Sequence, residues 1–275
     1  MTDFLKEIIA HKRMEIVDLD LRALRRAAEQ SPAPRDFRAA VSVPYNASKG
    51  DLQAVRTRIR LIAELKRASP SKGILAPDID LYQTAGIYME NGASALSVVT
   101  DGKYFLGKLQ TLHDLRLVHQ AALPLLRKDF LIAESQIYES RAAGADAVLL
   151  IAAALNDDPQ LAGLHALALE LGLTPLVEVH NEPEAERALR LHGLRMLGIN
   201  NRDLGTFTVS LATTERLRPL IPSSITVISE SGIFTAEDVD RLALSRVDAV
   251  LVGEALIKAP DIASKVRELS GLNVQ

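Results

Sequence analysis

The segment Leu61-Ile62-Ala63-Glu64-Leu65-Lys66-Arg67-Ala68-Ser69-Pro70-Ser71-Lys72-Gly73 runs from an apolar stretch into an acid and a lysine at alternate positions, then breaks at Ser-Pro-Ser. Side chains alternate along an extended chain, so this reads as a buried strand that delivers charge to its own exit. A single pair of this kind is ordinary solvent-facing polarity. It gains meaning because similar exits recur down the chain.

From Leu61 onward, short apolar runs alternate with helical stretches. The expected strands are Leu61–Leu65, Ala95–Thr100, Pro124–Lys128, Ala147–Ile151, Thr174–Val179, Met196–Asn200, Thr226–Ser229 and Ala249–Val252. The helices between them are expected at Leu81–Glu90, Leu109–His119, Ser135–Ala143, Leu161–Glu170, Glu182–Leu191, Thr213–Leu220 and Ala236–Leu244, with a last one at Asp261–Leu269. Three strands are entered by one device: Gly92-Ala93-Ser94-Ala95, Gly144-Ala145-Asp146-Ala147 and Arg246-Val247-Asp248-Ala249. Glycine there ends a helix in the left-handed conformation, and alanine allows close packing on the next strand. Eight βα units imply parallel pairing with right-handed crossovers and favour closure into an α/β (β/α)8 TIM barrel. An open Rossmann-like sheet is disfavoured, because no Gly-x-Gly-x-x-Gly follows the first strand.

Ahead of the repeat, Phe4, Leu5, Ile8, Ile9, Lys12, Ile16 and Val17 fall at helical spacing. A second helical stretch runs from Leu19 to Gln30 and stops before Ser31-Pro32-Ala33-Pro34; Asp36 to Ala40 reads as a short helix and Pro44 to Gly50 as a loop. About the first fifty residues thus form an N-terminal helical extension of a single 275-residue barrel domain.

The 48% hydrophobic content supports a large core. A net charge of −3 and a pI near 6.1 offer no broad basic surface for nucleic acid, so a small-molecule partner is expected. Without cysteine, disulfides and thiolate chemistry are excluded. There is no secretory core and no apolar run long enough for a bilayer, which points to a cytoplasmic protein that binds no membrane. No large apolar face is left over, so a monomer is expected.

The strand exits present Glu64 and Lys66, then Lys128-Asp129-Phe130, Glu178, Asn200-Asn201-Arg202-Asp203, Glu230-Ser231-Gly232 and Gly253-Glu254-Ala255. In a barrel these converge at one mouth, where active sites lie. Glu178 stands inside Leu176-Val177-Glu178-Val179, where a carboxylate requires a cation or a task. Asp203 reads as a residue that orders its own turn. Ser231-Gly232 and Gly253-Glu254 leave backbone N–H groups uncovered, as barrels do where they bind phosphate, so a phosphorylated ligand is expected. The histidines lack ligand spacing, giving no metal site. His180 reads as a loop residue with a possible supporting place behind Glu178. A serine hydrolase is disfavoured by the lack of a Gly-x-Ser-x-Gly elbow ahead of a helix with a suitable acid and histidine after it.

The segments 63–73, Leu126-Arg127-Lys128-Asp129-Phe130, Leu176-Val177-Glu178-Val179-His180, Gly198-Ile199-Asn200-Asn201-Arg202-Asp203-Leu204, Ser229-Glu230-Ser231-Gly232-Ile233 and Val98 to Phe105 resemble the indole-3-glycerol phosphate synthase family of tryptophan biosynthesis. The resemblance implies closure of 1-(2-carboxyphenylamino)-1-deoxyribulose 5-phosphate to indole-3-glycerol phosphate with loss of CO2 and water, without a cofactor. It implies Lys128 as the general acid, Lys66 as a second acid or carboxylate binder, and Glu178 as the group that moves protons during dehydration. Glu64, Asn200 and Glu230 would orient them. Arg202 and Ser231 are then expected on the substrate, Phe105 and Phe130 on its ring, and Ser69, Gly232, Gly253 and Glu254 around the phosphate. Where the family often has a hydroxyl, this chain has Ala255, so contacts there fall to backbone donors and the Glu254 side chain must turn outward. A phosphosugar isomerase or Schiff-base aldolase, and a non-catalytic barrel, are the alternatives.

Overall fold

The computed structural model describes residues 2–43 and 59–272. Eight parallel strands close into a barrel: β1 (Arg60–Leu65), β2 (Ala95–Val99), β3 (Leu125–Lys128), β4 (Ala147–Ile151), β5 (Thr174–Val179), β6 (Met196–Asn200), β7 (Thr226–Glu230) and β8 (Ala249–Val252), with β1 paired to both β2 and β8. Every residue of β2, β4, β6, β7 and β8 is buried. Parallel strands covered on both faces need apolar side chains on both, which is why they stand out as unbroken apolar runs.

The expected strands and helices are all present, and the differences at their ends have local causes. The helix expected from Leu161 begins at Asp158, because the Asp157 carboxylate accepts the Gln160 N–H at 3.0 Å and Pro159 suits the first turn. The helix expected to reach Leu220 ends as an α-helix at Leu217 and finishes in a single tighter turn, Arg218–Leu220, that contains Pro219. Asp261 is the cap of the last helix, Ile262–Ser270, and not its first residue.

Gly92 and Gly144 do take left-handed φ values of 107° and 85°, and Arg246 occupies the same conformation at 61°. The aspartates after these turns have a further job. Asp146 accepts the N–H of Leu125 at 2.8 Å and of Arg35 at 2.6 Å, while Asp248 accepts those of Val227 at 2.8 Å and Val43 at 3.1 Å. Each carboxylate therefore ties the start of the preceding strand to the chain that leads into the barrel.

That chain carries α1 (Asp3–Glu15), α2 (Leu21–Gln30) and α3 (Phe37–Val41). α3 lies at the strand starts, where fully buried Phe37 and Val41 pack beside β1 and β2. α2 lies along the helix Glu134–Ala142, with Arg25 over the Tyr138 ring at 5.0 Å. α1 lies at the strand exits: Phe4 meets Tyr104 and Phe207 edge-on at 5.7 and 5.5 Å. Its buried face is Leu5, Ile8, Ile9 and Lys12, whereas Val17, expected on that face, lies past the helix end and is exposed. The loop expected at Pro44 to Gly50 lies outside the described residues. Among the described residues no helix is long and apolar enough to cross a membrane.

Candidate active site

The residues assigned from the sequence to catalysis, substrate and phosphate line one cavity at the strand exits: Glu64, Lys66, Ser69, Phe105, Lys128, Phe130, Glu178, Asn200, Arg202, Glu230, Ser231, Gly232, Gly253 and Glu254. Strand periodicity explains the convergence, since each charged group stands at or just beyond the last inward position of its strand. The N-terminal helix adds Phe4, Leu5 and Ile8 to the lining, and the loops add Phe207 and Ile233. Those apolar contributors carry no charged signature in the sequence, and only the amphipathic spacing of α1 announced a face in need of a partner.

Lys128 is the hub. Its Nζ lies 3.2 Å from Glu178 Oε2 and 3.4 Å from Glu230 Oε2. Burial works against its charge, but Glu178, Glu230 and Glu64 outweigh burial and hold the ammonium above its ordinary pKa. The two carboxylates are not equivalent. Burial raises Glu178, yet Lys128, His180 and Asn200 bring it well below the usual carboxylate range. Glu230 is pushed up to about 8 by burial and by the charges of Glu178 and Glu64, against the pull of Lys128. Two buried carboxylates beside one lysine cannot both ionise cheaply, so near neutrality Glu178 is the anion and Glu230 the proton carrier. Neither Glu230 oxygen has a hydrogen-bond partner among the described residues.

Across the mouth, Glu64 and Lys66 form their own close pair, with Oε1 and Nζ 2.5 Å apart. Burial pushes Glu64 up, and Lys66 with Lys128 overcomes that push and leaves it lowered. Two glycines make room for these acids. A methyl at Gly198 would overlap Glu230 Oε1, and one at Gly253 would come within 2.5 Å of Glu64 Oε1 and 3.1 Å of Lys66 Cε.

Behind Glu178 stands His180, with Nε2 3.3 Å from Glu178 Oε1 and Nδ1 2.9 Å from Glu184 Oε2. Burial lowers an imidazolium, but the two carboxylates raise this one to about 10. It is therefore a buried cation backing Glu178, which corrects its reading as mainly a loop residue. Asp203 orders its turn as expected, by accepting the N–H groups of Gly205 at 2.8 Å and Thr206 at 2.7 Å. Arg202 is held from the same turn by the Phe207 carbonyl at 3.4 Å, and its own N–H goes to Asn200 Oδ1 at 3.0 Å.

At the β7 exit, Ser231 and Gly232 both adopt left-handed backbone, with φ of 67° and 78°. Successive backbone N–H groups in a turn can form a concavity suited to anions. Asn201, which the sequence placed beside the site without a role, fixes this turn by donating to the Ser231 carbonyl at 3.0 Å and to Ser229 Oγ at 2.9 Å. At the β8 exit Glu254, which lines the cavity, pairs through Oε1 with Lys258 Nζ at 2.9 Å. On the other side of the mouth, the rings of Phe105 and Phe130 lie 6.3 Å apart with a 43° tilt.

The indole-3-glycerol phosphate synthase family model matches residues 5–269. This chain belongs to that family. It is 49% identical to the indole-3-glycerol phosphate synthase of Roseiflexus castenholzii, over 98% of this chain and 99% of the relative. The enzyme of the same name from Dehalococcoides mccartyi is also 49% identical, over 92% of this chain and 98% of its own length. Membership carries the reaction class, a decarboxylating carbon–carbon lyase of tryptophan biosynthesis, as the motifs led us to expect. Among solved structures, 3-hexulose-6-phosphate synthase from Salmonella typhimurium superposes with a TM-score of 0.56 at 17% identity, covering 77% of this chain and 97% of that one. At that identity the likeness speaks to the barrel fold alone.

Proposed function

We propose that the chain closes 1-(2-carboxyphenylamino)-1-deoxyribulose 5-phosphate to indole-3-glycerol phosphate, releasing CO2 and water, with Lys128 as the acid on the ketone. The observation that carries this reading is the Lys128 ammonium held between Glu178 and Glu230 at the barrel mouth.

In the first step the ring carbon that bears the carboxylate attacks the ketone carbon, and the oxygen takes a proton from Lys128. Charge builds on that oxygen during attack, so a fixed ammonium both neutralises and protonates it. Loss of CO2 returns the carboxylate's electrons to the ring. The new hydroxyl then leaves as water with a second proton, and a proton departs from the former methylene to complete the indole. Two protons enter and one leaves, which balances the loss of a carboxylate as CO2.

Lys66 is suited to meet the substrate carboxylate or supply the second proton, and Arg202, which lines the same cavity, to share the carboxylate. Glu178, the anion of the pair, is suited to accept the methylene proton, and its His180 backing keeps it ionised. Glu64 and Asn200 orient their neighbours, and Glu230 retains a proton beside Lys128. Phe105 and Phe130 flank the aromatic ring, since apolar faces exclude water and fix its direction. The phosphate is met by Ser69 and the backbone at Ser231, Gly232, Gly253 and Glu254. A Schiff-base aldolase is disfavoured, because a lysine held protonated by the ionised Glu178 and Glu64 is a poor amine nucleophile.

The chain is further proposed to act as one domain and as a cytoplasmic monomer; light scattering should return the 29.9 kDa chain mass. The activity is tested by supplying the anilino-ribulose phosphate and following indole fluorescence. Appearance of the indole signal, with no borohydride-trapped adduct on Lys128, is expected. A trapped adduct without indole would favour the aldolase.

A further inference from the structure

We propose that Lys12 of the N-terminal helix is the positioning residue for the aromatic half of the site, holding the loops that carry Phe105 and Phe130 in one arrangement. The proposal rests on the reading of those two rings given above. A lysine among Leu5, Ile8 and Ile9 on a buried helical face needs a reason, and Lys12 is only 3% exposed. Its Nζ lies 2.8 Å from Asp101 Oδ2, 3.0 Å from Asp129 Oδ1 and 2.7 Å from Glu15 Oε2. Asp101 follows β2 and Asp129 follows β3, so one ammonium from α1 bridges two neighbouring strand exits.

Each aspartate then governs one ring. Asp101 Oδ1 accepts the N–H of Tyr104 at 2.7 Å and of Phe105 at 3.2 Å, capping the turn Gly102–Phe105. Asp129 Oδ1 accepts the Phe130 N–H at 2.8 Å, and its Oδ2 is met by Thr100 Oγ1 at 2.6 Å and Arg127 Nη2 at 3.3 Å. Asp129 thus keeps a second cation when Lys12 is removed. Asp101 Oδ2 has no hydrogen-bond partner among the described residues, and the Lys12 ammonium is the charge that faces it. A buried carboxylate deprived of its cation recruits water or rotates outward, and the Phe105 turn would move with it. The backbone part of the phosphate cradle stands on the exits of β7 and β8, on other strands and outside this network, and only Ser69, whose segment packs beside the Gly102–Phe105 turn, adjoins it.

The experiment compares two competitive inhibitors on Lys12→Met and the parent: inorganic phosphate, and the substrate analogue whose ketone is reduced to an alcohol. The expected result is a loss of about tenfold or more in affinity for the ring-bearing analogue, since small misplacements of positioning groups cost on that scale, with phosphate affinity within about twofold. Unchanged affinity for the analogue, or equal loss for both inhibitors, would overturn the proposal. Should Lys12→Met fail to fold, Asp101→Asn, which keeps an acceptor for the Tyr104 and Phe105 N–H groups but loses the charge facing Lys12, is expected to show the same selective loss. Its absence there would be equally contrary. Phe105→Ala separates the two levels of the argument: if it weakens the analogue while Lys12→Met does not, only the Lys12 proposal fails. If neither does, the ring reading fails and takes the proposal with it.

Discussion

His180 Nε2 and Glu178 Oε1 face each other across 3.3 Å in a site where both side chains are nearly sealed from solvent. The imidazolium is held to about 10, well above its ordinary 6.5. Its raised value means the folded protein keeps a proton that the unfolded chain releases, so the contribution to stability is complete below pH 6.5 and fades as pH rises toward 10. Thermal unfolding scanned across that window should show the parent losing stability with pH more steeply than His180→Gln. Parallel curves would count against the buried ion pair.

Glu230 gives a second window with the same sign. Raised from 4.5 to about 8, it favours the folded state less and less as pH climbs through that interval. Glu230→Gln, which stays neutral throughout, should flatten the pH dependence of stability between those values. A slope equal to the parent's would mean that Glu230 is already ionised at neutral pH.

The Gly198–Glu230 and Gly253–Glu64 contacts predict that two small substitutions act on chemistry. Gly198→Ala places a methyl on the Glu230 carboxylate, and Gly253→Ala places one against Glu64 and Lys66. Overpacking of this kind costs about 1–3 kcal/mol of stability. The displaced acids should reduce kcat by more than the unfolding midpoint suggests, which steady-state rates set beside denaturant titrations will reveal.

Asp146 offers the opposite case, a buried acid remote from the mouth. Asp146→Ala would leave the Leu125 and Arg35 N–H groups without their acceptor, at about 1–3 kcal/mol each. Urea unfolding should register that loss while kcat of the folded fraction stays near the parent value. A large fall in kcat would instead tie the strand starts to catalysis.

The eight strands were legible because parallel pairing buries both faces and so produces apolar runs such as Ala147–Ile151. The exits were legible because a charge after such a run is conspicuous, as with Lys128 and Glu178. Less could be read where meaning depends on partners distant in the chain. Lys12 looked like one member of a helical stripe, and nothing near it in sequence announces Asp101 or Asp129. Glu178 and Glu230 looked alike, since their difference in protonation arises from His180 and Asn200 on one side and from burial beside the charges of Glu178 and Glu64 on the other. Asp146 and Asp248 were noticed as part of a turn, but their bonds to Arg35 and Val43 need the extension folded under the barrel.

The central claim is that Lys128, set between an ionised Glu178 and a protonated Glu230, delivers the proton that lets the ring attack the ketone. Replacing Lys128 with alanine and measuring kcat by indole fluorescence, with the fold checked by circular dichroism, tests it most directly. The account predicts a fall of about 10²–10⁴-fold, the range of a general acid's contribution. A folded Lys128→Ala protein with kcat within about tenfold of the parent would contradict it, because that residual rate would leave the acid's role to another group.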